Sequence, residues 1–172
     1  MNTLDKNRHF TYLALLSAMA ITLNLLETSL IPPFFGVFRI GLANIIALVT
    51  LRILGVKEMI IVNVMRVVIG NLLSGRFLGS TFWISLGGVA LSTVILIIMD
   101  QLHASLMFTS VMSSIAHSTG QVIVVMMFYM QPMIATILPY FLLLSIPTGL
   151  LTGFVANMVV KRIRPLRKKQ SE

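Results

Sequence analysis

Six long apolar runs, each closed off by charge, proline or glycine, constrain this chain more than any other feature. About 20 consecutive apolar residues, coiled as a helix, cross the roughly 30 Å hydrocarbon core of a bilayer. The runs span about 10–31, ending at Pro32-Pro33; 40–54, between Arg39 and Gly55; and 58–73, ending at Ser74-Gly75-Arg76. They continue over 82–99, stopped by Asp100; 106–130, followed by Gln131-Pro132; and 133–160, ending at Lys161-Arg162. The second and third are short, but fusing or dropping them leaves Arg52, Lys57 and Glu58 in lipid, which is costly. The pattern therefore predicts an all-α membrane domain over residues 1–172, a bundle of six transmembrane helices with a basic tail over 161–172.

Composition removes the alternatives. Of 172 residues, 57% are hydrophobic and 10% charged, and the mean hydropathy is +0.96. A water-facing surface needs about 25–35% charged residues, so a soluble globular domain is excluded, and the apolar excess equally excludes disorder. The net charge of +8 comes from basic residues at the ends of the apolar runs, a pattern of membrane topology rather than nucleic-acid binding. With the N-terminus in the cytoplasm, Lys6, Arg8, Arg52, Lys57, Lys161, Arg162, Arg164, Arg167, Lys168 and Lys169 lie inside, against Arg39 and Arg76 outside. That bias predicts a multi-pass plasma-membrane protein with both termini cytoplasmic, its basic tail anchoring beside anionic lipid. Ala18-Met19-Ala20 has the look of a signal cleavage site, but the apolar run continues well past it, so the first run is expected to stay as a span.

Polar residues within the runs are the candidates for function, because lipid makes each of them expensive. Asn24, Glu27 and Thr28 share a helical face. Two roles fit Glu27: holding a cationic group of a ligand, or pairing with Arg66 or Arg39. Asn63, Arg66, Gly70 and Ser74 share a face of the third run, and Arg66 is too deep to reach either interface, so it serves an anionic ligand group or pairs with Glu27. Thr109, Ser113, His117 and Gln121 recur every fourth residue, with Ser110, Ser114 and Ser118 beside them. That stripe fits close helix packing, with His117 and Gln121 its most ligand-like members. Asn71, Arg76 and Trp83 stand near the ends of the third and fourth runs; Trp83 suits an interfacial anchor or a stacking surface. The candidate solute-binding residues are thus Glu27, Arg66, Asn71, Arg76, Trp83, His117 and Gln121. Two small-residue pairs, Ala14/Ala18 and Gly149/Gly153, permit close helix approach, and Pro139 and Pro147 should kink the last helix and free carbonyls toward a cavity.

Signatures of autonomous chemistry are missing. There is no phosphate-cradling loop, nucleophile elbow or His-Glu-x-x-His. Asp5, Glu27, Glu58, Asp100 and Glu172 are scattered singly, whereas diphosphate chemistry gathers carboxylates around Mg²⁺. Cysteine is absent, removing thiolate chemistry and Cys-based metal sites. The expectation is a protein that is not itself an enzyme and carries no cofactor or metal.

Three segments also resemble a known family of small bacterial membrane proteins. Arg39-Ile40-Gly41-Leu42-Ala43-Asn44-Ile45 is similar to the opening of its second helix, Arg66 through Gly75 to its third-helix motif, and Ala116-His117-Ser118-Thr119-Gly120-Gln121 to its Ala-His-Asn-x-Gly-Gln motif, with Ser118 in place of Asn. The family carries two labels, Gx transporter and heptaprenyl diphosphate synthase component I. It resembles in turn the substrate-binding S components of energy-coupling-factor transporters, six-helix proteins that capture a vitamin-like solute at the outer side and dock on a transmembrane coupling subunit bearing two ATPases. The resemblance implies docking through Ala14 and Ala18, which match the S-component Ala-x-x-x-Ala motif, a solute pocket at the outer helix ends, and delivery by tipping over in the membrane. The second label implies a different job, a non-catalytic accessory subunit tied to isoprenoid, quinone or flavin metabolism.

Overall fold

The computed structural model describes residues 3–30 and 41–163. Six α-helices fill them, and no strand occurs among the described residues. They are α1 (Thr3–Leu30), α2 (Asn44–Ile53), α3 (Val56–Leu73), α4 (Ser80–Gln101), α5 (Leu106–Tyr129) and α6 (Leu138–Arg162), the last led in by a 3₁₀ turn over Pro132–Ile137. The helices fall on the apolar runs because an apolar segment in lipid must satisfy every backbone N–H and C=O internally. The break at Pro32-Pro33, Arg39 and the tail from Arg164 onward lie outside the described residues.

Four segments are long and apolar enough to cross a membrane: Lys6–Glu27, Ser80–Gln101, Leu106–Tyr129 and Pro132–Arg162. They present lipid-type surface, with Leu15, Val94, Phe108, Leu143, Leu151 and Phe154 all exposed. The chain is a membrane protein on this ground. The two short runs behave differently. Helix α3 has the length, but it carries Lys57, Glu58 and Arg66. Helix α2 has only 10 residues, about 15 Å of rise, and cannot cross alone. It is instead the most enclosed element, with Ala47, Leu48, Val49, Thr50, Leu51 and Ile53 fully buried. A helix apolar on all sides belongs in the middle of a bundle. Around it Leu16 and Ala20 of α1, Met59 and Val62 of α3, Leu96 of α4 and Ala156 of α6 close the main core.

Neighbouring helices alternate in direction. The α2–α3 turn closes through Gly55 at φ 123°, a conformation side-chain-bearing residues rarely adopt. His9 of α1 meets Glu58 of α3 at 3.2 Å, and the Arg52 guanidinium at the end of α2 donates to the Ala104 carbonyl between α4 and α5 at 2.5 Å. Val160 and Ile163 of α6 pack on the same core as Val56. One end of the bundle therefore gathers the start of α1, the end of α2 and the end of α6, and with them Lys6, Arg8, Arg52, Lys57, Lys161 and Arg162. The opposite end carries the exposed rings of Trp83, Tyr129 and Tyr140, placed as an aromatic interfacial belt is.

Helices α4, α5 and α6 are laced together by small residues. A Cβ on Gly120 of α5 would stand 2.5 Å from the carbonyl oxygen of Gly87 on α4, so the two backbones touch there. A Cβ on Gly149 would stand 2.8 Å from the Val111 Cα, and one on Gly153 2.8 Å from the Ser110 Cβ. Ser110 Oγ donates to the Gly149 carbonyl at 2.7 Å, and Ser118 Oγ shares a hydrogen bond with Ser145 Oγ at 2.6 Å. The Gly149/Gly153 pair is thus spent on internal packing. Pro139 sits in the first turn of α6, where a proline fits without loss. Pro147 lies inside the helix but on its exposed face.

Candidate functional site

The polar face of α1, the start of α2, the middle of α3, the first half of α4 and the middle of α5 converge on one pocket inside the bundle. From α1 come Asn24 and Glu27; from the entry to α2, Gly41 and Ala43; from α3, Arg66 and Val67; from α4, Ser85 and Val89; from α5, His117. Gly41 and Ala43 place the pocket at the N-terminal end of the 10-residue α2.

Glu27 is 4% exposed and Arg66 3% exposed, so both charges sit in a low-dielectric interior that tolerates them only when they are engaged. Glu27 Oε1 accepts the Gly41 N–H at 2.5 Å. That carboxylate lies at the N-terminal approach to α2, where the helix dipole favours negative charge, and the N-cap residue Ala43 has no side chain able to do the same work. Asn24 Nδ2 donates to the Arg66 carbonyl at 3.3 Å, and Gly70 one turn further along α3 gives it space, since a Cβ there would collide with that nitrogen. Asn24, Glu27, Arg66 and His117 are each held by at least one interaction. Ser85 Oγ donates to the Thr81 carbonyl at 2.8 Å and keeps acceptor capacity toward the pocket. His117 is packed by Gly88, where a Cβ would stand 3.0 Å from its Cε1. One turn below, Asn44 at the start of α2 donates to Ser113 Oγ of α5 at 2.9 Å and ties the pocket floor to the other half of the bundle.

The lining encloses a cavity of about 20 Å³ as the centre of a water-sized sphere samples it, room for about one water. Val67, Val89 and Ala43 form its apolar wall, and no aromatic ring lines it among the described residues.

The fold therefore brings together Glu27, Arg66 and His117 from the sequence-derived candidates and leaves the others apart. Gln121 is buried one turn beyond His117, but its Cγ packs on Gly88 rather than the pocket. Asn71 is buried and donates to its own helix at the Val67 carbonyl, 2.7 Å away. Arg76 and Trp83 are exposed near the aromatic end, where Trp83 meets Phe82 edge to face at 5.4 Å. Ala14 and Ala18 are both exposed on the outer face of α1. Sequence reasoning alone misses Gly41, Ala43 and Ser85 as lining residues. Gly41 and Ala43 lie within a family-like motif, but nothing in the chain marks Ser85.

Residues 16–159 match the protein family described as heptaprenyl diphosphate synthase component I. No curated protein and no solved structure matches the chain. With most of its length inside the match, the chain belongs to that family.

Proposed function

We propose that this member of the heptaprenyl diphosphate synthase component I family is the solute-binding membrane subunit of an importer whose energy comes from separate ATPases. The observation that carries the reading is the pocket: a buried carboxylate, guanidinium and imidazole from three helices, gathered inside an otherwise apolar bundle. Buried ionisable groups at membrane depth mark solute or ion pathways more often than scaffolding. In this reading the chain crosses the membrane six times, α2 marking the second crossing although its 10 residues span only part of the bilayer. The alternation of the helices puts Lys6, Arg8, Arg52, Lys57, Lys161 and Arg162 on one face, taken as cytoplasmic, and both termini with them, with Arg76 on the other. Glu27, Arg66 and His117 hold the solute. Asn71, Arg76 and Trp83 shape the outer rim, and Gln121 supports His117.

Docking on a transmembrane coupling subunit falls to Ala14 and Ala18. Their exposure beside Leu15 and Met19 on an otherwise sparsely covered α1 supports this role, because small residues let a partner helix approach closely. Co-expression with coupling and ATPase subunits from the same host tests the reading. A stable complex with ATP-dependent uptake supports it; no complex, and uptake indifferent to Ala14→Leu plus Ala18→Leu, overturns it.

The family description favours one second reading, a non-catalytic accessory subunit for isoprenoid diphosphate synthesis or the quinone and flavin pathways beside it. Prenyl synthase activity that depends on this chain, with no solute bound by it, would establish that role in place of transport.

A further inference from the structure

Sulfur is concentrated at the end of α5, and we infer that Met126, Met127 and Met130 form a binding site for a soft monovalent metal ion of the Cu(I) or Ag(I) class. The site lies apart from the solute pocket and does not depend on the solute-binding reading.

Four of the chain's 12 methionines fall within residues 126–133, and three of them line one open groove together with Ile123 and Pro132. Met126 and Met130 stand one turn apart on the same face of α5, with Met127 beside them. Met126 is half-buried and packed on the small core formed by Val122 and Phe141, so one thioether is held in place. Met127 and Met130 are 74% and 88% exposed. Their unbranched side chains swing easily and can close on an ion that the first has met. The groove measures about 480 Å³ as the centre of a water-sized sphere samples it, room enough for that closure without moving a helix. Met130 ends α5 at φ 51°, ψ 32°, a left-handed conformation that glycine or asparagine ordinarily supplies. A bulkier residue is kept there, and it puts a third thioether on the groove. Lipid contact alone does not call for this cluster, since the exposed face of α6 is covered by Leu143, Leu150, Leu151 and Phe154.

The donor set selects the ion. A thioether is neutral and polarisable. Mg²⁺ and Ca²⁺ demand oxygen, and Zn²⁺ takes thiolate, imidazole or carboxylate, whereas thioethers suit Cu(I). Ag(I) shares its charge and softness. Three neutral ligands leave the ion with a single positive charge. That charge is tolerable beside exposed Tyr129 at the aromatic end of the bundle and would be costly at the bilayer centre. The expectation of a metal-free chain rested on its carboxylates, imidazoles and thiolates, none of which this site needs. Among the described residues no group of three His, Cys, Asp or Glu could hold a metal, and residues 31–40 contain none of these and no Met.

The test uses the purified full chain in nanodiscs, titrated with silver nitrate in chloride-free buffer and followed by calorimetry. Cu(I) is then added anaerobically in competition with a chromogenic chelator. One saturable ion per chain is expected. Met126→Leu and Met130→Leu keep the size and apolarity of the side chain, and each should weaken binding by at least about tenfold, because even the loss of a group that merely orients a ligand costs that much. Met158→Leu, at an exposed position elsewhere on α6, should change nothing. Copper X-ray absorption should show sulfur neighbours alone. The absence of saturable binding, a site that survives the Met126→Leu/Met130→Leu double variant, or nitrogen neighbours from a histidine would overturn the assignment. Solute release and assembly with coupling subunits do not involve these methionines, so such a failure leaves the solute-binding reading standing.

Discussion

The Glu27 carboxylate on α1 accepts the backbone N–H of Gly41, 2.5 Å away at the approach to α2, so an acid on one helix secures the entry to the next. The interaction explains why a 10-residue helix can begin inside the bundle without a capping side chain of its own. It also fixes the carboxylate beside Arg66 and His117 in one pocket.

Replacing that acid separates its two roles. Glu27→Gln keeps an oxygen for the Gly41 amide, whereas Glu27→Ala strands the amide in a dry interior at a cost of about 1–3 kcal/mol. Thermal unfolding in nanodiscs should therefore rank the unaltered protein above Glu27→Gln and Glu27→Gln above Glu27→Ala. Equal midpoints for the two variants would mean that the carboxylate, not the hydrogen bond, does the structural work.

Backbone contact between α4 and α5 makes Gly120 less replaceable than a glycine with open surroundings. A Cβ at Gly120 collides with the Gly87 carbonyl, while one at Gly75 meets nothing within 4 Å and suffers only from its φ of 65°. Gly120→Ala should lose about 1–3 kcal/mol through overpacking, and Gly75→Ala about 1 kcal/mol through backbone strain. Denaturation of both variants by a titrated unfolding detergent checks the order.

The two small-residue pairs should respond in opposite ways. Gly149→Leu or Gly153→Leu drives a side chain into α5 and should destabilise the isolated chain. Ala14→Leu and Ala18→Leu fall on an exposed face of α1 and should leave the isolated chain's unfolding midpoint unchanged while reducing the coupling subunit recovered with it. Size-exclusion chromatography of co-expressed subunits, beside unfolding of the lone chain, reads both effects.

Asn44 and Ser113 join α2 to α5 through a buried hydrogen bond of 2.9 Å. A double-mutant cycle with Asn44→Ala and Ser113→Ala should give a coupling of about 0.6 kcal/mol, the usual worth of such bonds between membrane helices.

Much of the fold was legible because lipid imposes a simple rule: polar backbone must be satisfied within each apolar run, so the runs and their Pro, Gly and charged borders mark the helices. What composition did not reveal is that α2 is a short central helix wrapped by the rest. Its run and that of α4 are both apolar, and only the number of residues between Gly41 and Gly55 hints that one stops short of a membrane's thickness. The candidate site divides along the same line. Arg66 and His117 stand out as ionisable groups well inside their apolar runs and Glu27 as an acid within the first run, and periodicity alone places Asn24 beside Glu27. Asn71 and Gln121 carry equally conspicuous polar groups, yet one is satisfied by its own helix and the other packs on Gly88; no spacing rule distinguishes a polar group that faces a cavity from one that faces a neighbour. Ser85 and Ala43 are ordinary small residues until the fold sets them opposite Arg66.

Mass spectrometry of the small molecules released from purified protein tests the central claim most directly. A polar solute should be released from the unaltered chain and from Arg162→Gln, and be lost from Arg66→Met that circular dichroism shows to be folded. A solute retained in full by folded Arg66→Met, or lost only with Arg162→Gln, would contradict the assignment of the binding site to the pocket between Glu27, Arg66 and His117.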